Sequence, residues 1–225
     1  AMDPQQRLFL EEAWKALEDA GHAGASIEGQ RCGVYVGYSG GDYDRLFSDQ
    51  QQPPAQAFWG NAGSVIPARM AYFLDLQGPA VTVDTACSSS LVAIHLAAQA
   101  LRSGEADMAL AGGVFILSTP EFYALANEAD MLSPTGRCRT FDAAADGFVP
   151  GEGVGVAVLK PFSQAVSDGD QIYGLIRAGG INQDGHTNGI TAPSAQSQER
   201  LEREVYERFG IDPETIQMVE GHGTG

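Results

Sequence analysis

Residues 80–114 read AVTVDTACSSSLVAIHLAAQALRSGEADMALAGGV, and the fold turns on how this stretch is parsed. Ala80 to Val83 is a short apolar run, closed by a turn signal at Asp84, as expected of a buried strand. Cys87 to Leu101 is small and apolar and stops near Gly104, the pattern of a helix. Only the serine cluster, His95, Gln99 and Arg102 offer polar surface, so this helix is expected to lie buried between layers. Met108 to Val114 is again a strand. Strand, helix and strand at this spacing form a βαβ unit, so the chain is expected to be an α/β protein built on a parallel sheet.

Outward from this unit, the N-terminal side begins with a helix that Asp3 can cap and Pro4 can open. Leu10, Trp14 and Leu17 share one of its faces, and Gly21 ends it. Gly33 to Gly37 reads as a strand, Ser39 to Pro54 as a polar surface loop, and Ser64 to Leu76 as a helix with Pro67 in its first turn. On the C-terminal side, Gly151 to Leu159 and Gln171 to Ile181 read as strands, expected to form an antiparallel pair at a sheet edge. Ser194 to Phe209 is a charged amphipathic helix ending at Gly210, and Ile216 to Glu220 is a last strand.

Composition sets limits on function. The 225 residues are 44% hydrophobic and 19% charged, which suits a packed core and argues against disorder. A formal net charge of -16 makes a nucleic-acid surface unfavourable, because phosphate contacts need clustered Lys and Arg. No apolar run reaches the length of a membrane span, and no signal-peptide pattern opens the chain. Cys32, Cys87 and Cys138 are odd in number and widely spaced, with no metal-ligand spacing. Free thiols in a reducing compartment, the cytoplasm, are therefore expected.

Cys87 is the first candidate for chemistry. It sits where a strand turns into a helix, within Asp84-Thr85-Ala86-Cys87-Ser88-Ser89-Ser90. The helix N-terminus favours a thiolate there, and its N–H groups can stabilise an oxyanion. The arrangement parallels the nucleophile elbow of serine hydrolases; the alternative is a small buried Cys packing a helix start. His222 is the second candidate, because it follows a predicted strand inside the Gly-rich run 221–225, although a loop His is more often a surface residue. His95, eight residues after Cys87, reads as a core histidine bonded to a neighbour. His22 and His186 sit in turns, and neither takes a role. The Gly-rich stretches 151–155 and 221–225 lack P-loop and Rossmann spacing, which excludes nucleotide binding.

Val83-Asp84-Thr85-Ala86-Cys87-Ser88-Ser89-Ser90-Leu91 resembles the active-site motif of polyketide-type β-ketoacyl synthases. Glu220-Gly221-His222-Gly223-Thr224-Gly225 is similar to their first histidine motif, with Gly221 where Ala is common. Asp3-Pro4-Gln5-Gln6-Arg7 resembles their N-terminal helix signature. Arg137-Cys138-Arg139-Thr140-Phe141-Asp142, Asp146-Gly147-Phe148 and Gly151-Glu152-Gly153 resemble their middle signatures. Phe58-Trp59-Gly60-Asn61 and the run Ile181 to Pro193 are similar to synthases of modular assembly lines served by acyltransferases in trans.

The resemblance implies a thiolase-like αβαβα sandwich within a homodimer. This chain would supply its N-terminal half (residues 1–193) and the start of its C-terminal half (194–225). The family's second catalytic His and supporting Lys would lie beyond residue 225. The ends fall on family motifs and position 1 is Ala, so a fragment bounded by two motif-directed primers is expected, inactive and poorly stable by itself.

The resemblance further implies that Cys87 takes an acyl group from an acyl carrier protein. A malonyl-type extender on a second carrier then condenses with it after losing CO2. His222 would donate to the extender's thioester oxygen, and Thr224 would line the phosphopantetheine entrance. No metal or bound cofactor is implied. A non-elongating synthase that only passes acyl chains would keep Cys87 acylation without condensation, the loss of the second His marking it, and a fatty-acid-type synthase is a further alternative. A thiolase or plant-type synthase acting on free coenzyme A esters fits the combined motifs less well.

Overall fold

The computed structural model describes residues 2–47 and 54–225. They fall into two compact units, Ala1–Gln171 with His222–Gly225, and Ile172–Gly221.

The first unit opens with helix α1 (Pro4–Asp19), capped by Asp3, whose Oδ1 accepts from the Gln5 backbone N–H at 2.8 Å. Strand β1 (Cys32–Gly37) follows, then a 3-10 turn (Tyr43–Phe47) in the loop expected from Ser39 to Pro54; residues 48–53 of that loop lie outside the described residues. Helices α2 (Ala57–Gly60) and α3 (Val65–Leu74) lead to β2 (Ala80–Val83), α4 (Ser89–Ser103) and β3 (Met108–Phe115). Helix α5 (Glu121–Glu128), strand β4 (Gly153–Leu159) and helix α6 (Phe162–Asp168) complete the unit.

The sheet order is β2-β1-β3-β4. Strands β2 and β3 both run parallel to β1, so the connection through α4 steps over β1, as the βαβ reading requires. Strand β4 runs antiparallel to β3. Alternate side chains along each strand serve opposite faces. Val34, Val36, Leu110 and Val114 pack with Phe9, Ala13 and Leu17 of α1 and with Ile66, Met70 and Leu74 of α3. Tyr35, Ala109 and Ala111 pack with Ala93, Ala97 and Ala100 of α4. The first unit is thus helices, sheet and helix in three layers.

Two buried amides fasten the N-terminal helix to the sheet's loops. Gln5 accepts from the Ile116 N–H at 3.1 Å and donates to Asp3 and to the Gly40 carbonyl. Gln6 donates to the carbonyls of Trp59 and Ala62 and accepts from the Arg69 Nε–H at 3.2 Å. Buried polar groups persist only when partnered, and these two are. Desolvation holds the Asp3 carboxyl above the ordinary carboxylate range despite its bonds to Gln5.

Three expectations are corrected. Helix α4 buries Ala93, Ala97 and Ala100 on the sheet, but Leu91 is 72% exposed, so among the described residues it is covered on one face only. Residues 171–181 form no strand; β4 pairs with β3 instead. Residues 216–220 form no strand either, and Met218 and Val219 are exposed. Alternation alone does not make a strand. A ladder partner must take its N–H and C=O groups, and among the described residues neither segment has one.

In the second unit, α7 (Ala195–Phe209) is capped by Ser194, which accepts from the Ser197 N–H at 3.2 Å. The Asn182 side chain donates to the Ser197 carbonyl at 2.8 Å, and the Ser197 hydroxyl donates to the Gln183 carbonyl at 3.0 Å. Residues 182 and 183 therefore help to hold the start of α7.

The first turn of α4 rests on the ends of two strands. A Cβ built at Gly37 would stand 2.5 Å from the Ser90 nitrogen, and one at Gly113 would stand 2.8 Å from the Ser90 Cβ. Gly37→Ala is therefore expected to destabilise the protein by about 1–3 kcal/mol through overpacking. Gly151→Ala, where a Cβ meets nothing within 4 Å, is the control expected to change little. Urea denaturation of the two variants checks this; equal midpoints would contradict the close approach.

Candidate active site

Strand β2 ends at Val83, and α4 does not begin until Ser89. The five residues between them form an elbow at the C-terminal end of a parallel strand, where the sites of open α/β sheets collect. Cys87 stands in it, exposed, two residues ahead of the first helical residue. This corrects the expectation that the helix starts at Cys87. Ser88 takes the cap position but makes no side-chain capping bond. Its hydroxyl turns back to the Thr85 carbonyl at 2.8 Å and the Thr85 Oγ1 at 2.9 Å.

Hydroxyls and one carboxylate hold the elbow together. Asp84 Oδ1 accepts from the Ala86 N–H at 3.0 Å and from the Ser39 hydroxyl at 2.9 Å. Ser89 Oγ accepts from the Thr85 N–H at 2.8 Å and donates to the Ala86 carbonyl at 2.6 Å. Ala86 itself has φ +54°, in the left-handed region that side-chain-bearing residues seldom adopt. Such a residue just before the exposed thiol is the backbone feature that a sharp nucleophile-bearing turn needs.

His222 belongs to the first unit and is exposed. It does not follow a strand. The run 222–225 lies instead against the loop that carries the middle signatures. The Thr140 hydroxyl donates to the Gly223 carbonyl, and a Cβ at Gly225 would stand 3.1 Å from the Arg139 nitrogen. That loop is shaped by Ser133, whose hydroxyl donates to Asp146 at 2.7 Å, and by Gly147 at φ +134°, packed against the Leu132 backbone. Thr224 is exposed. Among the described residues, no hydrogen bond joins the Cys87 elbow to the His222 run.

The remaining candidates separate cleanly. Cys32 is fully buried in β1, and burial pushes its thiol up to about 12, so it stays protonated and unreactive. Cys138 is exposed, and its sulfur accepts the Val149 N–H at 3.0 Å. His95 bonds its neighbour Gln99, Nε2 to Nε2 at 3.5 Å, as expected, but it is half-buried and not in the core. His22 pairs with Asp170 at 3.2 Å. Among the described residues no cluster of His, Cys, Asp or Glu could hold a metal, and no helix is long and apolar enough to cross a membrane.

Sequence reasoning missed Ser39, Asp84 and Ser89 as supports of the elbow. An Asp two residues ahead of a turn N–H is a recognisable local signal, the Asx-turn. The bond to Ser39, 45 residues away in sequence, leaves no local trace.

Residues 1–165 match the family described as beta-ketoacyl synthase, N-terminal domain, and residues 173–225 match beta-ketoacyl synthase, C-terminal domain. The chain is 54% identical over 224 residues to polyketide synthase PksL of Bacillus subtilis, covering all of this chain and 5% of that protein. It is 51% identical over 226 residues to polyketide synthase PksM of the same organism, again covering all of this chain and 5% of that protein. Among solved structures, the ketosynthase from module 6 of the bacillaene synthase of Bacillus subtilis superposes with a TM-score of 0.92 at 53% identity, over 99% of this chain and 38% of that one. An oxazolomycin ketosynthase domain from Streptomyces albus gives 0.92 at 38% identity, over 100% of this chain and 40% of that one. The chain thus spans a small part of its curated relatives and under half of these solved domains.

Thiol labelling tests the accessibility pattern. At about pH 8, near the ordinary thiol range, iodoacetamide is expected to alkylate Cys87 and Cys138 and to spare Cys32 until denaturant is added. Peptide mass spectrometry reads the three sites separately. Labelling of Cys32 in the folded protein would contradict its burial.

Proposed function

Because the chain belongs to the β-ketoacyl synthase family, we propose that it carries the nucleophile of a ketosynthase that extends acyl chains in polyketide biosynthesis. The observation that supports this most directly is the exposed Cys87 thiol on a strand-to-helix elbow, inside the family's motif and ahead of a helix N-terminus. Thiol sulfur attacks thioesters readily, and backbone N–H groups at a helix N-terminus can hold a developing oxyanion. The thiolase-like fold of the matched ketosynthases supplies the frame.

The reaction has two stages. The Cys87 sulfur attacks the carbonyl carbon of an acyl thioester on an acyl carrier protein. A new C–S bond forms, and the phosphopantetheine thiol leaves with the proton that Cys87 gave up. A malonyl-type extender on a carrier protein then loses CO2, leaving the electron pair of the broken bond as an enolate. Its carbon attacks the Cys87 thioester, forms the new C–C bond and expels the Cys87 thiolate. His222 donates a hydrogen bond to the extender's thioester oxygen as the enolate charge develops. Thr224 lines the phosphopantetheine entrance. Acyl carrier protein is the partner, phosphopantetheine-linked thioesters are the substrates, and the intact domain works as a homodimer without a bound cofactor.

The test uses the intact domain of the parent reading frame. Incubation with an acyl thioester is expected to add the acyl mass to the peptide containing Cys87, and acylation surviving in Cys87→Ala would defeat the assignment. His222→Ala is expected to retain acylation while condensation falls by about 10²–10³-fold, the cost of one lost oxyanion donor. Acylation without condensation in the unaltered domain would point to the non-elongating alternative. The 225 residues alone are expected to give no condensation product, since they span 38% of a solved ketosynthase; turnover by them would overturn that expectation.

A further inference from the structure

We propose that Asp84 is a positioning residue for the Cys87 nucleophile, acting through the backbone of Ala86; the proposal rests on the acyl-accepting role of Cys87. The geometry is specific. One carboxylate oxygen, Asp84 Oδ1, accepts the Ala86 N–H at 3.0 Å and the Ser39 hydroxyl at 2.9 Å. The Ala86 carbonyl is held from the other side, by the Ser89 hydroxyl at 2.6 Å and the Ser89 N–H at 3.0 Å. Both polar groups of Ala86 are therefore fixed.

Ala86 needs this fixing because its φ is +54°. An alanine left to itself relaxes out of that region, and its peptide swings the next residue with it. The next residue is Cys87. The second bond to Asp84 gives the elbow an external reference. Ser39 lies two residues beyond Gly37, at the exit of β1, so Asp84 ties the thiol-bearing turn to the central strand rather than to its own loop.

Asp84 is exposed, so its loss should cost the fold little. Its effect should instead appear as misplacement of the thiol, to which group transfer is sensitive. Both accepted bonds use an oxygen that an asparagine also carries, so the role is that of an acceptor and not of a charge.

The experiment compares Asp84→Ala, Asp84→Asn and the double variant Asp84→Ala/Ala86→Gly in the intact domain. Three quantities are read: acyl uptake at Cys87 from an acyl-pantetheine thioester, iodoacetamide alkylation of Cys87 across pH with Cys138 as internal control, and the thermal unfolding midpoint. Asp84→Ala is expected to slow acyl uptake by about 10²-fold. It should also shift the Cys87 alkylation profile while Cys138 and the midpoint stay put. Asp84→Asn is expected to stay within about threefold of the unaltered protein. Gly adopts positive φ without strain, so Ala86→Gly is expected to restore much of what Asp84→Ala loses.

Unchanged Cys87 alkylation in Asp84→Ala would overturn the proposal, as would Asp84→Asn failing as badly as Asp84→Ala. A fall in the midpoint with parallel changes at Cys138 would also overturn it, by making the effect one of stability. If the unaltered domain takes up no acyl group while the alkylation pattern holds, the acyl-transfer reading fails and the positioning role of Asp84 stands.

Discussion

The seating of α4 on the ends of β1 and β3 is the contact from which the rest of the first unit follows. Gly37 and Gly113 leave room for the helix's first turn at Ser89 and Ser90, and no larger residue fits without displacing backbone. With the helix set at that height, β2 must approach it through a tight elbow. Five residues, 84–88, cover the distance, and one of them takes a left-handed conformation to do so. The exposed thiol is a product of that geometry. Chain connectivity matters as much as chemistry here: the crossover steps over β1, which brings the central strand's exit beside the elbow.

Around this seat, long-range polar ties do what local propensity cannot. Among the described residues, the loop leaving β1 makes several of them. Ser39 reaches Asp84, the Gly40 carbonyl accepts from Gln5, and Arg45 pairs with Glu121. The Asp42 carboxylate accepts from the N–H groups of Ser118 and Thr119 at 2.9 and 2.7 Å and from the Thr119 hydroxyl. These hydrogen bonds hold the Asp42 carboxyl below its ordinary range, although partial desolvation, the largest single influence, acts the other way. The loop that follows the central strand therefore fastens α1, the elbow and the start of α5 to one another.

Much of this is legible in the residues themselves. The cap at Asp3, the βαβ unit, the helix stop at Gly104 and the amphipathic α7 all announce themselves through residues close in sequence, and the structure has each of them. Cys87 stands out for the same reason: a strand, a turn and a helix can be read from the residues on either side of it. The misreadings share a cause. Residues 171–181 and 216–220 have the alternation of strands, yet a ladder is a property of two segments, and sequence alone does not say whether the second is there. The helix starts at Ser89 instead of Cys87 because the left-handed turn at Ala86, φ +54°, breaks the helical path just ahead of Cys87. Ser39 is invisible because its partner lies 45 residues away.

The alanine lining of α4 has a consequence for precision. At the centre of the contact the helix presents Ala93, Ala97 and Ala100, and the sheet answers with Ala109 and Ala111. Alanine has no side-chain torsion, so apart from Tyr35 the buried middle of this contact has no rotamers to exchange. A leucine-lined contact can breathe by repacking its side chains; one made of methyl groups can move only if the backbone does. The helix that leads away from the thiol is therefore mounted on a joint whose buried centre is stiff, with rotamer freedom confined to its rim, at Val81, Ile94, Leu96, Leu101 and Leu159.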